Sequence, residues 1–499
     1  MSFAPTTDWR RLPPEAKQQF LELLQRKNAS KIGAAFKRKY KDDPAGFVRD
    51  CFNWSVDESP ADYQLEILSA LVEHKRAAIR APHGVGKTSI AAWVVLWFAL
   101  TRDGEENEDW KVVCTASAWR QLKHFLFPEI HKWARRLRWS KILRSAFTGS
   151  ELLQLNLKLS TGEAFAVASD DANLIEGAHA DSLLYLFDES KSIPDAVFDA
   201  AEGALSSGDC YALSISTPGE PVGRFYKIHA QQPGLESWWT RHITLKEAIA
   251  AGRINAAWAN DKKLLWGEQS AIFQNRVLGE FHTSDADGVI PLSWVEQANE
   301  RWEEWKETGE WLPFTCVSAD IARSTDGDKT VLALRHSHVI TELRRFAVAD
   351  TMISSGHVAA ILNARGSYGI IDLIGVGAGV YDRLRELKLT VRPFNASASP
   401  PDKAKDRSGE LEFLNMRAYA WWKFRELLDP AFGANVCLPP DDRLLGDLVA
   451  PHWKMTSGGK VQIESKDDIR KRLGRSTDDG DAVVMAFLPE IEKRKILYA

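Results

Sequence analysis

A glycine-rich segment at residues 80–89 has the composition of a phosphate-binding loop and reads Arg-Ala-Pro-His-Gly-Val-Gly-Lys-Thr-Ser. In such a loop, backbone N–H groups at the start of a helix surround the phosphates, a lysine reaches the terminal phosphate oxygens and a hydroxyl holds magnesium. Gly84 and Gly86 would permit the tight turn. Lys87 would supply the positive charge, and Thr88 would be the magnesium ligand. The segment therefore predicts an ATP site.

A pair of carboxylates follows the apolar run at 183–187. Since that run predicts a buried strand, Asp188 and Glu189 should project from its end towards the loop. Asp188 would hold magnesium through water, and Glu189 would polarise the attacking water. The alternative is that the pair only caps a helix before Ser190. The two motifs in this order favour an ATPase, although Ala81 stands where the common loop pattern has glycine.

Five further residues could serve the same site. Arg80 could contact the γ-phosphate, or it could form a surface salt bridge. The amide of Gln64 could pair with adenine, or it could lie on a helix surface. Ser216 and Thr217 end another apolar run, where their hydroxyls could sense hydrolysis or merely start a turn. Ser89, the last loop residue, completes the predicted nucleotide-binding set.

Three aspartates in the second half of the chain could hold divalent metal. Phosphodiester cleavage by two metal ions needs carboxylates that converge on ions about 4 Å apart. Asp320 is predicted to lie inside a strand, where a buried carboxylate is costly unless it is paired with metal. Asp372 ends another predicted strand, and Asp481 opens a final apolar helix. This triad predicts a metal-dependent nuclease that uses two Mg²⁺ or Mn²⁺ ions.

A fourth ligand is left open among three residues. Asp326 and Asp328 lie in a predicted turn, for which aspartate is a common residue. Asp478 lies just before Asp481, where the alternative role for Asp478 or Asp479 is to cap the helix N-terminus.

The 499 residues, 44% hydrophobic and 26% charged, are too many for one core and indicate at least two globular domains. The net charge of -4 argues against a protein coated in positive charge but does not exclude DNA binding, because a binding face can be local. Residues 135–138 and 470–472 are candidates for such a basic face. The sequence predicts an intracellular protein for three reasons. Its five cysteines are scattered, its longest apolar run is too short for a membrane span, and its N-terminus is unlike a signal peptide. Helix packing is the favoured role for the 19 tryptophans, with base stacking as the alternative.

Alternating strands and helices in the first half predict a mainly parallel, doubly wound sheet. Its predicted strands are 77–81, 111–115, 183–187 and 211–216, and its predicted helices are 88–100 and 119–136. The second half predicts a three-stranded meander followed by alternating helix and strand, which is the ribonuclease H-like order. The predicted strands there are 314–322, 330–336, 339–348, 369–373 and 390–394, with helices at 355–364 and 380–387.

The fold class is therefore predicted as α/β, with an N-terminal P-loop (RecA/ASCE-like) ATPase domain and a C-terminal ribonuclease H-like nuclease domain. The predicted divisions are a helical region at 1–60, the ATPase core at 61–235, a closing subdomain and linker at 236–312, and the nuclease domain at 313–499.

The chain resembles the large subunit of tailed-phage and prophage terminases, the DNA-packaging motors, from about residue 45 to 490. The segments that carry the resemblance are 80–88, 176–181 with 186–189, 273–281, 319–322, 372–377 and 481–482. The resemblance implies ATP-driven movement of viral double-stranded DNA through a portal into a procapsid, and endonucleolytic cutting of the DNA. It also implies magnesium at the ATPase site and Ser216-Thr217 as the coupling motif.

The resemblance further implies a portal, a small terminase subunit and a homo-oligomeric ring as partners, with no membrane, in the bacterial host cytoplasm and on the procapsid. The virus, the ring size and the choice between cohesive-end and headful cutting stay open, as does the trans-acting arginine, for which Arg224 and Arg241 are candidates. A helicase-like or repair translocase-nuclease of a mobile element is the main alternative. A decayed, non-enzymatic scaffold and a transposase-like enzyme are less favoured, because the ATP and acidic motifs are both intact.

Overall fold

The structure, a computed structural model, describes residues 33–56, 58–104, 108–169, 175–204, 209–282, 287–322 and 329–489. The chain divides into two compact units, one of residues 1–256 with 275–282 and the other of residues 257–274 with 283–499. No helix in the described ranges has the length and hydrophobicity that a membrane span requires. All five cysteines are buried free thiols.

The first unit is built on an eight-stranded sheet. Its strands are β1 (Arg76–Arg80), β2 (Trp110–Ala116), β3 (Leu152–Leu153), β4 (Asn156–Lys158), β5 (Gly162–Ala168), β6 (Ser182–Asp188), β7 (Asp209–Ser216) and β8 (Trp239–His242). The spatial order is β3-β4-β5-β2-β6-β7-β1-β8. Six neighbouring strands in this order, β5, β2, β6, β7, β1 and β8, are parallel, and β4 and β3 are added antiparallel beside β5. Because helices cover the faces of a parallel sheet, β6 and β7 are nearly continuous apolar runs.

Helices connect these strands, and the last helices of this part of the chain lie almost entirely in residues 257–274, which belong to the second unit. They are Pro44–Cys51, Asp62–His74, Lys87–Arg102, Trp119–Gln121, Phe127–Arg135, Trp139–Ile142, Asp195–Ala204, Gly223–His229, Leu245–Ala250, Ala256–Trp266 and Ala271–Phe273. Two π-helical turns, Leu122–Leu126 and Gln274–Leu278, and a 3₁₀ turn, Ser190–Ser192, complete the set. The single helix predicted at 119–136 is therefore interrupted by a π-turn.

The second unit contains a five-stranded sheet. Its strands are β9 (Phe314–Asp320), β10 (Thr330–His336), β11 (Val339–Phe346), β12 (Tyr368–Asp372) and β13 (Val391–Phe394), in the order β11-β10-β9-β12-β13. The first three form the predicted antiparallel meander, and β12 runs parallel to β9 and β13. A small sheet of order β14-β16-β15 adds β14 (Glu412–Phe413), β15 (Trp453–Met455) and β16 (Lys460–Ile463).

Helices flank both sheets of this unit. They are Leu292–Thr308, Thr351–Arg365, Gly377–Glu386, Met416–Leu428, Asp442–Val449, Lys466–Leu473 and Asp478–Ala486, with a 3₁₀ turn at Pro430–Phe432. Buried aliphatic side chains from β9, β10 and the helices Thr351–Arg365 and Gly377–Glu386 form the core of the sheet. The strand order of the two sheets confirms the predicted fold class.

The prediction for Asp320 needs a correction. Asp320 is the last residue of β9 and does not lie inside the strand. The following residues, Ile321 and Ala322, leave the strand before the segment 323–328, so the aspartate stands at the end of the sheet. Asp326 and Asp328 lie outside the described residues.

Gly377, at the start of the helix Gly377–Glu386, touches the backbone of Asp372. A Cβ atom added to Gly377 would come 1.8 Å from the carbonyl oxygen of Asp372, whereas one added to Gly379 would meet nothing within 4 Å. The turn after β12 can therefore close only with glycine at 377.

Gly377→Ala should lower the free energy of unfolding by ~1–3 kcal/mol or more, because the added methyl group displaces the Asp372 backbone. Gly379→Ala, in the same helix, is the matched control and should be neutral or stabilising by up to ~1 kcal/mol. Urea denaturation monitored by circular dichroism would measure both. Equal midpoints for the two variants would contradict the close contact.

Candidate functional site

The phosphate-binding loop connects the end of β1 to the start of the helix Lys87–Arg102. Gly84 and Gly86 have φ angles of +81° and +84°, which glycine adopts without strain. Gly86 is the N-cap of the helix, so the first backbone N–H groups of the helix face the loop. The sequence prediction that these glycines permit the turn agrees with this geometry.

The Lys87 side chain is buried inside the loop. Its Nζ donates to the carbonyl oxygen of Pro82 at 2.8 Å and to Oγ1 of Thr217 at 2.8 Å. Burial lowers the pKa of Lys87, while the negative charges of Glu189 and Asp188 act in the opposite direction. The ammonium group is therefore held where bound phosphate oxygens could replace its present acceptors.

Asp188 and Glu189 stand at the end of β6, beside β7. Burial, and then repulsion from Glu189, raises the pKa of Asp188 to about 7. Glu189 has a φ of +48°, a left-handed conformation that costs a non-glycine residue on the order of 1 kcal/mol. Such strain clusters at functional sites, and here it falls on the residue that directly follows β6.

The last residue of β7, Ser216, and the residue that follows it, Thr217, connect the glutamate and the lysine. Ser216 Oγ lies 3.2 Å from Glu189 Oε2, and Thr217 Oγ1 accepts from Lys87 Nζ. Ser216 Oγ also accepts from the backbone N–H of Lys191 at 3.2 Å. The strand end therefore links both halves of the site through hydroxyl groups.

Two other predicted residues lie around the loop, each with a protein partner. Arg80 forms an ion pair with Glu280 and donates to the carbonyl oxygen of Gly279 at 3.1 Å. Gln64 is buried, and its amide accepts from Ala61 N at 2.9 Å and donates to the carbonyl oxygen of Val85 at 3.4 Å. Gln64 therefore supports the loop backbone in this conformation.

The last two predicted loop residues are the second and third residues of the helix Lys87–Arg102, and they differ in their surroundings. Ser89 Oγ donates to Glu129 Oε1 at 2.7 Å, so this hydroxyl faces the helix Phe127–Arg135. Thr88 is half-buried next to Lys87. Of the candidate trans-acting arginines, Arg224 is ion-paired with Asp199, and Arg241 is ion-paired with Glu66 and Glu247.

Sequence reasoning did not find the part that residues 275–282 play in supporting the loop. Gly279 has a φ of +70°, and a Cβ atom added there would come 2.8 Å from Cδ of Pro82. The backbone N–H of His83 donates to the carbonyl oxygen of Arg276 at 2.9 Å. The only signal was the resemblance of 273–281, because a lone glycine among polar residues does not predict such a contact.

The three predicted aspartates stand at the ends of elements in the second unit. Asp320 ends β9 and Asp372 ends β12, and these strands are neighbours in which Ala319 pairs with Ile371. The two aspartates therefore leave the sheet side by side. Asp481 is in the first turn of the helix Asp478–Ala486, whose Ala482 accepts at its carbonyl oxygen from Ser318 Oγ at 2.5 Å.

Lys466 joins two of these carboxylates. Its Nζ lies 2.6 Å from Asp320 Oδ2 and 3.2 Å from Asp481 Oδ2. Burial opposes the charge on Lys466, but Asp320 and Asp481 outweigh burial, and the pKa of the ammonium group is raised. Sequence reasoning missed Lys466, because nothing in its local pattern distinguishes it from other lysines of a charged helix.

The three carboxyl groups have different environments. Burial raises the pKa of Asp320 to about 7, and the repulsion of Asp478 and Asp481 acts in the same direction. Burial also raises the pKa of Asp372. For Asp481 burial again acts upwards, but the charges of Arg417 and Lys466 outweigh it, and the pKa is lowered.

Among the described residues, three side chains besides Lys466 form hydrogen bonds or ion pairs with Asp481. Arg417 pairs with Oδ1, Trp421 Nε1 donates to Oδ1 at 2.9 Å and Thr477 Oγ1 donates to Oδ2 at 2.9 Å. These contacts keep Asp481 ionised and fix its orientation.

Within the described residues, no three His, Cys, Asp or Glu side chains are arranged to hold a metal ion. The Lys466 ammonium lies between Asp320 and Asp481, in the place where a cation would neutralise them. The donors are oxygen atoms alone, which suits Mg²⁺ or Mn²⁺. Asp478, the described candidate for a fourth ligand, accepts from Ser476 Oγ and from the backbone N–H of Lys329 at 3.4 Å.

No family model matches the chain. The chain is 23% identical over 453 residues to the "Probable terminase, large subunit" of Enterobacteria phage P7, a match that covers 86% of this chain and 88% of that protein. The nuclease domain of the large terminase subunit gp2 of bacterial virus Sf6 matches 41% of this chain and 99% of its own, with 21% identity and a TM-score of 0.36. A large terminase from a thermophilic bacteriophage matches 86% of this chain and 100% of its own, with 11% identity and a TM-score of 0.41. The phage P7 relative confirms the resemblance to large terminase subunits.

Lys466→Ala should increase the stabilisation that a divalent cation gives to the protein, because it removes the ammonium group that competes for Asp320 and Asp481. A cation at a hundred times its dissociation constant adds ~2.7 kcal/mol, so the shift in thermal midpoint on adding MnCl₂ should be clearly larger than in the wild type. Lys471→Ala, which changes an exposed lysine of the same helix, is the matched control. If the Lys466 and Lys471 variants respond equally, Lys466 does not occupy the cation position.

Proposed function

We propose that the chain is the large subunit of a DNA-packaging terminase, which uses ATP hydrolysis to move viral double-stranded DNA into a procapsid and cuts the DNA concatemer with a metal-dependent endonuclease. The observation that carries the proposal is the presence of both sites in one chain. A phosphate-binding loop linked to Asp188 and Glu189 precedes a ribonuclease H-like sheet with Asp320, Asp372 and Asp481 at one end. The name of the phage P7 relative supports the same assignment.

In the ATPase site, Lys87 binds the β- and γ-phosphates, Gly84 and Gly86 shape the loop, and Ser89 contributes from the first turn of the helix that follows it. Thr88 and Asp188 would hold Mg²⁺, which supplies charge neutralisation at the phosphates when bound. Glu189 orients the attacking water and accepts its proton. Its contact with Ser216 and the contact of Thr217 with Lys87 give the site a means to report hydrolysis to β7.

In the nuclease site, Asp320, Asp372 and Asp481 would hold two Mg²⁺ or Mn²⁺ ions, which supply a more acidic water and stabilise the leaving oxygen when bound. Arg417, Trp421 and Thr477 keep Asp481 ionised and oriented. Asp320, whose pKa is raised to about 7, loses its proton most readily when a cation is close. Lys466 holds Asp320 and Asp481 together in the absence of that cation.

We propose a domain assignment that follows the positions of the ATPase site and the nuclease site. We assign residues 61–235 to the ATPase core, to which β8 (Trp239–His242) adds a strand from beyond that boundary. The rest of 236–312 is proposed as a closing subdomain and linker, and 313–499 as the nuclease domain. The partners are double-stranded DNA, the portal of the procapsid, a small terminase subunit and further copies of this chain in a ring. The place of action is the bacterial host cytoplasm, at the procapsid. Plasmid cleavage and ATP turnover by purified protein, with Mg²⁺ or Mn²⁺ and with or without ATP, test the whole proposal.

Glu189→Gln should reduce ATP turnover by about 100-fold or more, because the amide cannot accept the proton of the attacking water. Plasmid cleavage with Mn²⁺ in the absence of ATP should stay at the wild-type level, since that reaction needs only the second unit. Phosphate release and gel electrophoresis measure the two activities. Unchanged ATP turnover would remove Glu189 from the mechanism.

Asp320→Asn should have the converse effect. The amide keeps the shape of the side chain but withholds the negative charge that a cation requires, so plasmid cleavage should fall by about 100-fold or more while ATP turnover persists. Asp350→Asn, which changes the exposed N-cap of a helix in the same unit, is the control and should cut normally. Intact Mn²⁺-dependent cutting by the Asp320 variant would refute the triad.

A further inference from the structure

Residues 119–144 of the first unit, here called the basic segment, carry a strong local excess of positive charge. The segment contains eight Lys or Arg residues and a single carboxylate, Glu129, whereas the whole chain has a net charge of -4. Neither candidate site uses any of these cations. The excess is therefore a separate feature of the surface.

The exposed positions of the basic segment follow helical spacing. His124, Phe125, Pro128, Lys132 and Arg135 are exposed, at intervals of one, three, four and three residues. They lie on one side of the π-turn Leu122–Leu126 and the helix Phe127–Arg135. Lys132 and Arg135 place positive charge at the C-terminal end of this exposed stripe, and Lys141 is exposed just beyond it.

Only part of this charge is neutralised within the protein. Lys132 pairs with Glu129 at 3.0 Å, Arg136 pairs with Glu58 and Arg144 pairs with Glu151. Across the ranges that the structure describes, no carboxylate forms an ion pair with Arg135 or Lys141. The pKa of the Asp50 carboxyl is lowered mainly by its hydrogen bond with Lys39, and the nearby charge of Lys141 acts in the same direction. Both Arg135 and Lys141 nevertheless have exposed side chains that an external anion could reach.

The stripe stands on a rigid base. Trp133, on the buried side of the helix Phe127–Arg135, packs edge-on against Phe52 and Trp93, with ring centroids 5.2 and 5.0 Å apart. The guanidinium of Arg136 lies over the Trp133 ring at 4.5 Å. Because Phe127, Ile130, Trp133 and Ala134 are already buried, the helix has no apolar face left to enter a membrane.

The base of the stripe is joined to the phosphate-binding loop. Glu129 Oε1 accepts from Ser89 Oγ in the first turn of the helix Lys87–Arg102 at 2.7 Å, and from Trp133 Nε1 at 2.7 Å. If nucleotide binding displaced the helix Lys87–Arg102, the displacement would therefore reach Glu129 and Trp133, which lie beneath the exposed cations.

We propose that the basic segment binds the phosphate backbone of double-stranded DNA in the ATPase unit, with Arg135 and Lys141 as phosphate contacts. The inference rests on the proposed function, which makes DNA the polyanion that this chain handles. Exposed Lys and Arg side chains without base-reading neighbours suit sequence-independent backbone binding. The exposed rings of Trp119 and Phe125 add contact area at the same edge.

The test compares two charge-matched double variants of the full chain by fluorescence anisotropy with a labelled DNA duplex over a series of salt concentrations. Arg135→Ala/Lys141→Ala should lower affinity about 10-fold or more at low salt and reduce the slope of log K against log salt by about two. Lys158→Ala/Lys246→Ala removes two exposed lysines elsewhere in the unit and should change neither quantity. Thermal unfolding midpoints verify that both variants are folded.

The outcomes separate this inference from the proposed function. If both double variants bind DNA as the wild type does, the basic segment is not a DNA surface, while ATP turnover and plasmid cutting by the wild type would keep the proposed function intact. If the wild type binds no duplex and turns over no ATP, the proposed function fails and this inference fails with it. Anionic lipid vesicles and an acidic polypeptide should compete less strongly than unlabelled duplex. If either competes as strongly as the duplex does, the assignment to DNA is overturned.

Discussion

The second unit depends on one partly buried ammonium group, that of Lys466. Asp320 and Asp481 are both buried, and an unpaired carboxylate in such a place would cost several kcal/mol. Lys466 supplies the positive charge to both from the first residue of a helix that Ser465 caps. Arg417 pairs with the remaining oxygen of Asp481 from a different helix. The termini of several elements are therefore held at one point by charge compensation, and removal of a single partner would disturb all of them.

The first unit solves a similar problem with different chemistry. Lys87 is buried near Asp188 and Glu189, but its direct acceptors are a backbone carbonyl and a threonine hydroxyl. These neutral acceptors can be exchanged for phosphate at lower cost than a carboxylate could. Both groups of residues stand at the carboxyl ends of parallel strands, where side chains from neighbouring strands meet and ligands bind in open α/β sheets. The chain thus uses the same place in a sheet twice.

Much of this arrangement could be predicted from the sequence, because it depends on local patterns. The glycines of the loop and the apolar runs of β6 and β7 placed the first site, and β10 has the boundaries that its residues predicted. The predicted order of the meander and of the strands after it placed Asp320 and Asp372 on adjacent strands.

The position of Asp320 at the strand end was not predicted, because the apolar residues Ile321 and Ala322 extend the strand pattern past the point where pairing stops. Contacts across long sequence separations, such as Gly279 against Pro82 or Lys466 between two aspartates, are set by the fold and have no matching signal in their local sequences. Strand β8 was also missed, because its four residues, Trp-Thr-Arg-His, are only partly buried and have no apolar pattern.

The five buried cysteines have a practical chemical meaning. Burial raises the pKa of every one of these thiols, to about 11 for Cys51, Cys316 and Cys437, so almost none is present as the nucleophilic thiolate at neutral pH. Maleimide and methanethiosulfonate reagents will therefore react slowly with the native protein. A cysteine introduced at an exposed position can then carry a dye or a spin label without prior removal of the natural ones, which opens distance measurements on the native protein.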